Sequence, residues 1–294
     1  MTLTRRRLLC IAASLAASPV VGQTSRHSWQ GRAFGAEVSI TLHGPPVQTQ
    51  TALDAAKRLI SETEARFSLF DPGSELSRLN TAGALRPSSD MYAVLQIAET
   101  AHHLSGGLFD PTVQPLWQAL ALGRDVETAR AAIGWHRVSR HKAQIRLEKG
   151  QALTLNGIAQ GYATDRIAAL LTRHGFENAL VNIGEHRGLG GPWRLEVSDP
   201  TYGPLARRTL TNSAIATSSP LATPLGEAGH ILHLNRKPRW STVSVEADSA
   251  ALADALSTGL VLADLAKIRQ VSQHQSIRRI TLIDFAGNLT TLQT

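Results

Sequence analysis

Between Glu37 and Leu42 polar and apolar residues alternate one for one, which predicts a half-buried strand and, with the residues from Trp29 onward, an opening strand or hairpin. The period then changes. Leu53, Ala56, Leu59, Ile60, Thr63 and Phe67 recur at helical spacing, so a helix is predicted over Thr51–Ser68. Phe70–Asn80 carries turn residues and is expected as loop. A second helix is expected after Ser88, Ser89 or Asp90, any of which can cap it, and ends on Gly106-Gly107. Two prolines break the stretch Leu108–Leu120, and a short helix is expected near Val126–Gly134. Arg137–Gly157 reads as a ribbon of two or three strands turning at Glu148–Gly150, and its last strand feeds a helix that closes on Gly175. Further strands are expected at Asn178–Gly184, Trp193–Pro200, Ser213–Ser218, His230–Leu234 and Ser241–Ala247. A helix capped by Asp248 or Ser249 follows, and then a hairpin turning at Gly287-Asn288.

This order of elements predicts an α+β fold: one compact unit over residues 23–294, with mixed sheets and flanking helices. Nothing repeats at a fixed period, and no low-complexity linker divides the chain. The 294 residues are 43% apolar, enough for a sizeable core.

The first 22 residues read differently. Arg5, Arg6 and Arg7 precede a short apolar run interrupted by Pro19 and followed by small residues, the signature of a twin-arginine export signal. A periplasmic or otherwise exported protein is expected, tethered to the membrane if the signal stays uncleaved. The formal charge of +7 falls to about +4 beyond these arginines. Basic residues are scattered and aromatics are 5%, so neither a phosphate-tracking stripe nor a stacking platform for nucleic acid is visible. Cys10 is the only cysteine and lies inside the signal. The chain beyond it therefore has no disulfide, thiolate metal site or cysteine nucleophile.

Four places carry candidate chemistry. Gly157 and Gly161 stand at the predicted strand-to-helix junction, where two readings are open: a tight turn, or a backbone approach to a phosphate at a helix N-terminus. The spacing matches neither a phosphate-binding P-loop nor a dinucleotide fingerprint. Asp254 and Thr258, at i and i+4, offer two hard oxygens on one helix face, suited to Mg²⁺. The alternative is a solvated aspartate with a threonine bonded back to its own helix, which fits poorly with the apolar residues around it. Asp110 sits between a glycine pair and a proline, as a turn-capping carboxylate would. His230 and His233, three apart on an expected strand, would point to opposite sides, which argues against a shared metal; either could serve as a general base.

Taken in order, these segments resemble the ApbE family of FAD:protein FMN transferases. The resemblance rests on Phe67–Asn80 (FSLFDPGSELSRLN), Gly106–Leu116 (GGLFDPTVQPL), Gly157–Arg166 (GIAQGYATDR), Ala179–Gly184 (ALVNIG), Ala214–Ser219 (AIATSS) and Ala253–Leu260 (ADALSTGL). It implies an Mg²⁺-dependent enzyme that moves the FMN part of FAD onto a threonine or serine hydroxyl of a target flavoprotein and releases AMP. The acceptor it implies is a membrane-associated redox subunit. Carried over by position, Asp254, Thr258 and the Gly157 carbonyl would hold the metal. Phe34, Ser68, Phe70, Asp110 and Gln160 would line the FAD site, and His230 would be the base. The chain departs from the family pattern at Phe34, Leu69-Phe70, Gln160, Glu185-His186 and the loop His233–Arg239. An FAD pyrophosphatase at the same metal site and a non-catalytic flavin carrier are the alternatives to transfer.

Overall fold

The computed structural model describes residues 25–225 and 229–293. The export signal expected at residues 1–22 lies outside them. The chain opens with a hairpin of β1 (Arg26–Ala33) and β2 (Ala36–His43) and continues into α1 (Pro46–Phe67) and α2 (Glu75–Ala82). The strand β3 (Ala84–Leu85) precedes α3 (Ser89–Ser105), α4 (Gln114–Leu122) and α5 (Val126–Ala131). Next come β4 (Ser139–Arg140), β5 (Ile145–Arg146), α6 (Ala159–Arg173), β6 (Ala179–Asn182), β7 (His186–Leu189), β8 (Trp193–Asp199), β9 (Gly203–Leu210) and β10 (Ala214–Ser218). The chain closes with β11 (Thr242–Ala247), α7 (Ala250–Leu260), α8 (Leu265–Ser272), β12 (Ile277–Ile283) and β13 (Leu289–Gln293).

One eight-stranded sheet, ordered β1-β2-β6-β7-β10-β11-β12-β13, forms the frame. The α+β expectation holds, and every pairing within the sheets is antiparallel rather than mixed in direction. One sheet face carries α1, α6 and α7. On the other, Leu180, Ile215 and Ile283 pack against Trp193, Leu195, Val197 and Leu210 of the β8–β9 ribbon. This two-faced covering explains the alternation in β6, where Ala179 and Val181 join the helix-side core while Leu180 turns away from it.

Four expectations are corrected. Phe70–Asn80 is not all loop, because Ser74 caps α2 by accepting from the Ser77 N–H at 2.9 Å. The prolines at 111 and 115 start helical turns, where a missing N–H costs nothing. Leu153–Leu155 is not a strand. The Asn80 side chain takes the strand partner's place, accepting from Leu153 N–H at 2.7 Å and donating to its carbonyl at 2.9 Å. His230–Leu234 is irregular as well, so the strand argument about His230 and His233 lapses.

α7 is the element that places the site. It is buried along almost its whole length between α3, α6 and the strands β10 and β11. Its N-terminus is pinned by Asp165 of α6, which accepts from Ser249 Oγ at 2.7 Å and from the Ala250 and Ala251 N–H groups at 3.0 Å each. Arg187 of β7 donates to the same carboxylate at 2.7 Å, tying helix crossing to sheet.

Candidate active site

Where α6, α7, β10 and the β6–β7 turn converge, a cavity of about 240 Å³ opens. It is lined by seven of the nine residues singled out in the sequence: Phe34, Asp110, Gly157, Gln160, His230, Asp254 and Thr258. The other two lie elsewhere. Ser68 spends its hydroxyl as an acceptor for the Phe70 and Asp71 N–H groups, both at 3.1 Å, and Phe70 is 86% exposed beyond that turn. Neither lines the cavity. Nothing in the local pattern of that segment reports how far its turn stands from the cavity.

Asp254 is 3% exposed. One carboxylate oxygen accepts from the Gly161 N–H at 3.0 Å, the one hydrogen bond to that carboxylate from a described residue. Burial pushes its carboxyl up to about 7, against the pull of that N–H. One turn on, the Thr258 hydroxyl meets Ser218 Oγ at 3.2 Å, and Ser218 also contacts Ser257 Oγ at 2.8 Å.

The two glycines of α6 and its approach have separate reasons. A Cβ on Gly157 would fall 2.8 Å from Thr258 Oγ1, so that glycine lets backbone reach the Asp254–Thr258 face. A Cβ on Gly161 would fall 2.3 Å from the Ala250 carbonyl oxygen, so that one is required by the crossing of α6 and α7. The first glycine thus lines the cavity, and the second serves the helix crossing beside it.

His230 lines the same cavity. Its Nδ1 lies 2.9 Å from the Pro220 carbonyl, and its own N–H donates to the same oxygen at 3.2 Å. A carbonyl only accepts, so the neutral ring carries its proton on Nδ1 and its lone pair on Nε2. Gly229, at φ 79°, permits this: a Cβ there would meet the Pro220 oxygen at 2.1 Å. The divergent loop that follows is tethered by Arg130, which donates to the Leu234 carbonyl at 2.6 Å.

At the rim, Phe34 occupies the β1–β2 turn at φ 52°, an unusual conformation for a bulky residue. Glu64 of α1 accepts its N–H. Gln160 donates to the Phe34 carbonyl at 3.5 Å, linking α6 to the hairpin. Asp110 is spent on structure, accepting from Thr112 N–H at 2.8 Å and Thr112 Oγ1 at 2.6 Å.

The sequence reading missed Glu185 as a site residue, noting it only as a departure after Asn182-Ile183-Gly184. It is 7% exposed and lines the cavity, with one oxygen accepting from the Thr217 N–H at 3.1 Å. Burial first, and the Asp254 carboxylate second, hold its carboxyl well above the usual range; the Thr217 N–H offsets part of this. The signal in the sequence was an acid directly after the Asn182-Ile183-Gly184 segment.

The sequence model of the ApbE family matches residues 34–281. An FAD:protein FMN transferase of Vibrio cholerae serotype O1 is 27% identical over 245 residues, covering 72% of this chain and 72% of that protein. The Escherichia coli K12 protein of the same name is 25% identical over 264 residues, covering 78% and 73%. Among solved structures, the flavin transferase ApbE from Vibrio cholerae superposes with a TM-score of 0.79 at 24% identity, covering 92% of this chain and 98% of that one. The ApbE protein from Thermotoga maritima gives 0.81 at 22%, covering 90% and 96%. The matched span contains every residue that lines the cavity, and the fold agrees over nearly the whole described chain: this protein belongs to the ApbE family.

Proposed function

We propose that this chain is an Mg²⁺-dependent, exported FAD:protein FMN transferase, acting on a threonine or serine hydroxyl of a membrane-associated flavoprotein and releasing AMP. The observation that carries the reading is the charge of the cavity. Asp110, Glu185 and Asp254 line it and, among the described residues, no lysine or arginine does. A pyrophosphate could enter such a site only together with a cation.

The donor set fits Mg²⁺. Among the described residues no three of His, Cys, Asp and Glu gather to hold a metal alone. The protein therefore offers few hard oxygens and leaves the remaining positions to water and phosphate, as Mg²⁺ prefers. Asp254, Thr258 and the Gly157 carbonyl would hold the ion. When bound there, it supplies charge neutralisation at the pyrophosphate and stabilisation of the leaving phosphate.

The chain's own groups do the rest. The cavity is smaller than the roughly 300–1,000 Å³ usual for whole small-molecule ligands, so the central pyrophosphate of FAD would sit inside, with the ring systems on either side of it reaching toward the rim, where Phe34 stands. His230, fixed by Pro220, presents Nε2 to the acceptor hydroxyl and takes its proton. The acceptor oxygen bonds to the phosphorus on the FMN side as the bond from that phosphorus to the bridging oxygen breaks, and AMP leaves with the electron pair.

Incubation of the chain with FAD, Mg²⁺ and a threonine-bearing acceptor segment, read by mass spectrometry, tests the reading. An FMN-sized gain that is lost with chelator or in His230→Ala is the expected result. AMP and FMN released without a modified acceptor would make the protein a pyrophosphatase, and FAD bound without turnover would make it a carrier.

A further inference from the structure

The metal site read above leaves one buried acid of the cavity without a role. Glu185 is held in the β6–β7 turn with its main-chain oxygen accepting from Thr164 Oγ1 at 3.1 Å and its Oε2 accepting from the Thr217 N–H at 3.1 Å. No described residue donates to Oε1, and the side chain is more than nine-tenths buried on the cavity wall. Asp254 presents the same picture, with one oxygen held by the Gly161 N–H and the other without a donor among the described residues. Both acids line the one cavity beside β10, which pairs with β7 and packs against α7. The Thr217 N–H of β10 holds Glu185, and the next residue, Ser218, meets Thr258 through its hydroxyl.

Two acids buried in one cavity, with no lysine or arginine among the described residues that line it, are favourable as carboxylates only when a cation joins them. A structural glutamate would use both oxygens, or would be paired. We infer that Glu185 is a second acidic ligand of the cation held by Asp254, so that the site binds a divalent ion before any nucleotide arrives. This rests on the metal reading given above and extends it to a residue that reading does not use. An added carboxylate raises affinity for hard divalent ions through charge count, and the Ser218 and Thr258 hydroxyls complete the oxygen-rich wall.

The test titrates metal-free full chain with Mn²⁺ alone, without FAD, by calorimetry and by the shift in melting temperature, for the wild type, Glu185→Gln and Asp254→Asn. The expected result is one site in the wild type, with affinity weakened at least about tenfold in each variant. Without metal, Glu185→Gln should melt at or above the wild-type temperature, because it removes one of two mutually repelling acids; a merely structural role would lower it. Wild-type affinity in Glu185→Gln, with binding lost in Asp254→Asn, would overturn the inference and leave the metal reading standing. If the wild type binds no Mn²⁺ without FAD, the inference fails too. If Asp254→Asn binds as well as the wild type, the metal reading itself fails.

Discussion

Gly161→Ala separates the packing reason for this glycine from ordinary helix propensity. In an exposed helix the change would stabilise by up to about 1 kcal/mol. Here the new methyl would lie 2.3 Å from the Ala250 oxygen, 2.6 Å from its carbonyl carbon and 2.8 Å from the Ala251 Cα. All three are backbone atoms, so no side-chain rotation relieves the contact, and α6 and α7 must part by about 1 Å to restore an ordinary separation. Overpacking of this kind costs about 1–3 kcal/mol. The same movement stretches the 3.0 Å bond from the Gly161 N–H to Asp254, and a hydrogen bond to a charged group contributes about 1.5–3 kcal/mol. Set against the propensity gain, the net loss is about 2–4 kcal/mol. For a chain of this size that lowers the melting temperature by on the order of 5–15 °C. Thermal and urea melts of the two proteins decide it, with the Mn²⁺-induced shift measured alongside and expected to shrink. An unchanged or raised melting temperature would refute the close crossing and, with it, the account of how Asp254 is positioned.

Gly229→Ala should lift His230 off Pro220, because the methyl would meet the Pro220 oxygen at 2.1 Å and the residue sits at φ 79°. Transfer rate should fall by about 10²-fold or more with FAD affinity nearly unchanged, as read by turnover and fluorescence titration. Thr258→Val keeps the shape of the side chain and removes a hydroxyl from the cavity wall; Mn²⁺ affinity should drop by about tenfold in calorimetry. Asp199 is buried, which disfavours its charge, yet donors from Ser241, Thr242, Thr201 and Tyr202 hold its carboxyl below the usual range. Its contribution to stability is therefore present above about pH 4 and lost as pH falls through the lowered folded value. Urea midpoints measured across that range should show a shallower acid limb in Asp199→Asn.

Long periodic segments were legible because their burial is one-sided or complete. In α1 the buried set of Ala52, Leu53, Ala56, Ile60, Thr63 and Phe67 is nearly the set marked by spacing, and in α3 Ser88 and Gly106 cap where their residue types predict. Other segments failed for physical reasons. Only Leu76 and Leu79 of α2 are buried, too few to register a period. Leu153 and Leu155 are buried and alternate as a strand would, but the Leu153 backbone is bonded by the Asn80 side chain and the Thr154 N–H between them by the Pro111 carbonyl, neither of which a local pattern reveals. β7, β9 and α8 went unread, and β9 is largely exposed, so its alternation is weak. In the site, Asp254 and Thr258 were found because i and i+4 on one helix is a local relation. Glu185 was not, because its relation to Asp254 runs through β10.

Phe34, Gln160 and Glu185 are departures from the family pattern that line the cavity. Gln160 is uncharged and Glu185 places a second buried acid beside Asp254, with no lysine or arginine among the described residues that line the cavity. Asp110 is not a departure, since it belongs to the Gly106–Leu116 segment that carries the resemblance. An anionic pocket repels pyrophosphate until a cation enters, and a cation held by two acids is retained more firmly than one held by Asp254 alone. The proposed activity then implies an order of metal first, nucleotide second and acceptor last, with His230 in the same cavity as the acids. The departures at Gln160 and Glu185 thus remain compatible with transfer, because a bound cation can attract the dinucleotide where no side-chain cation lines the cavity among the described residues.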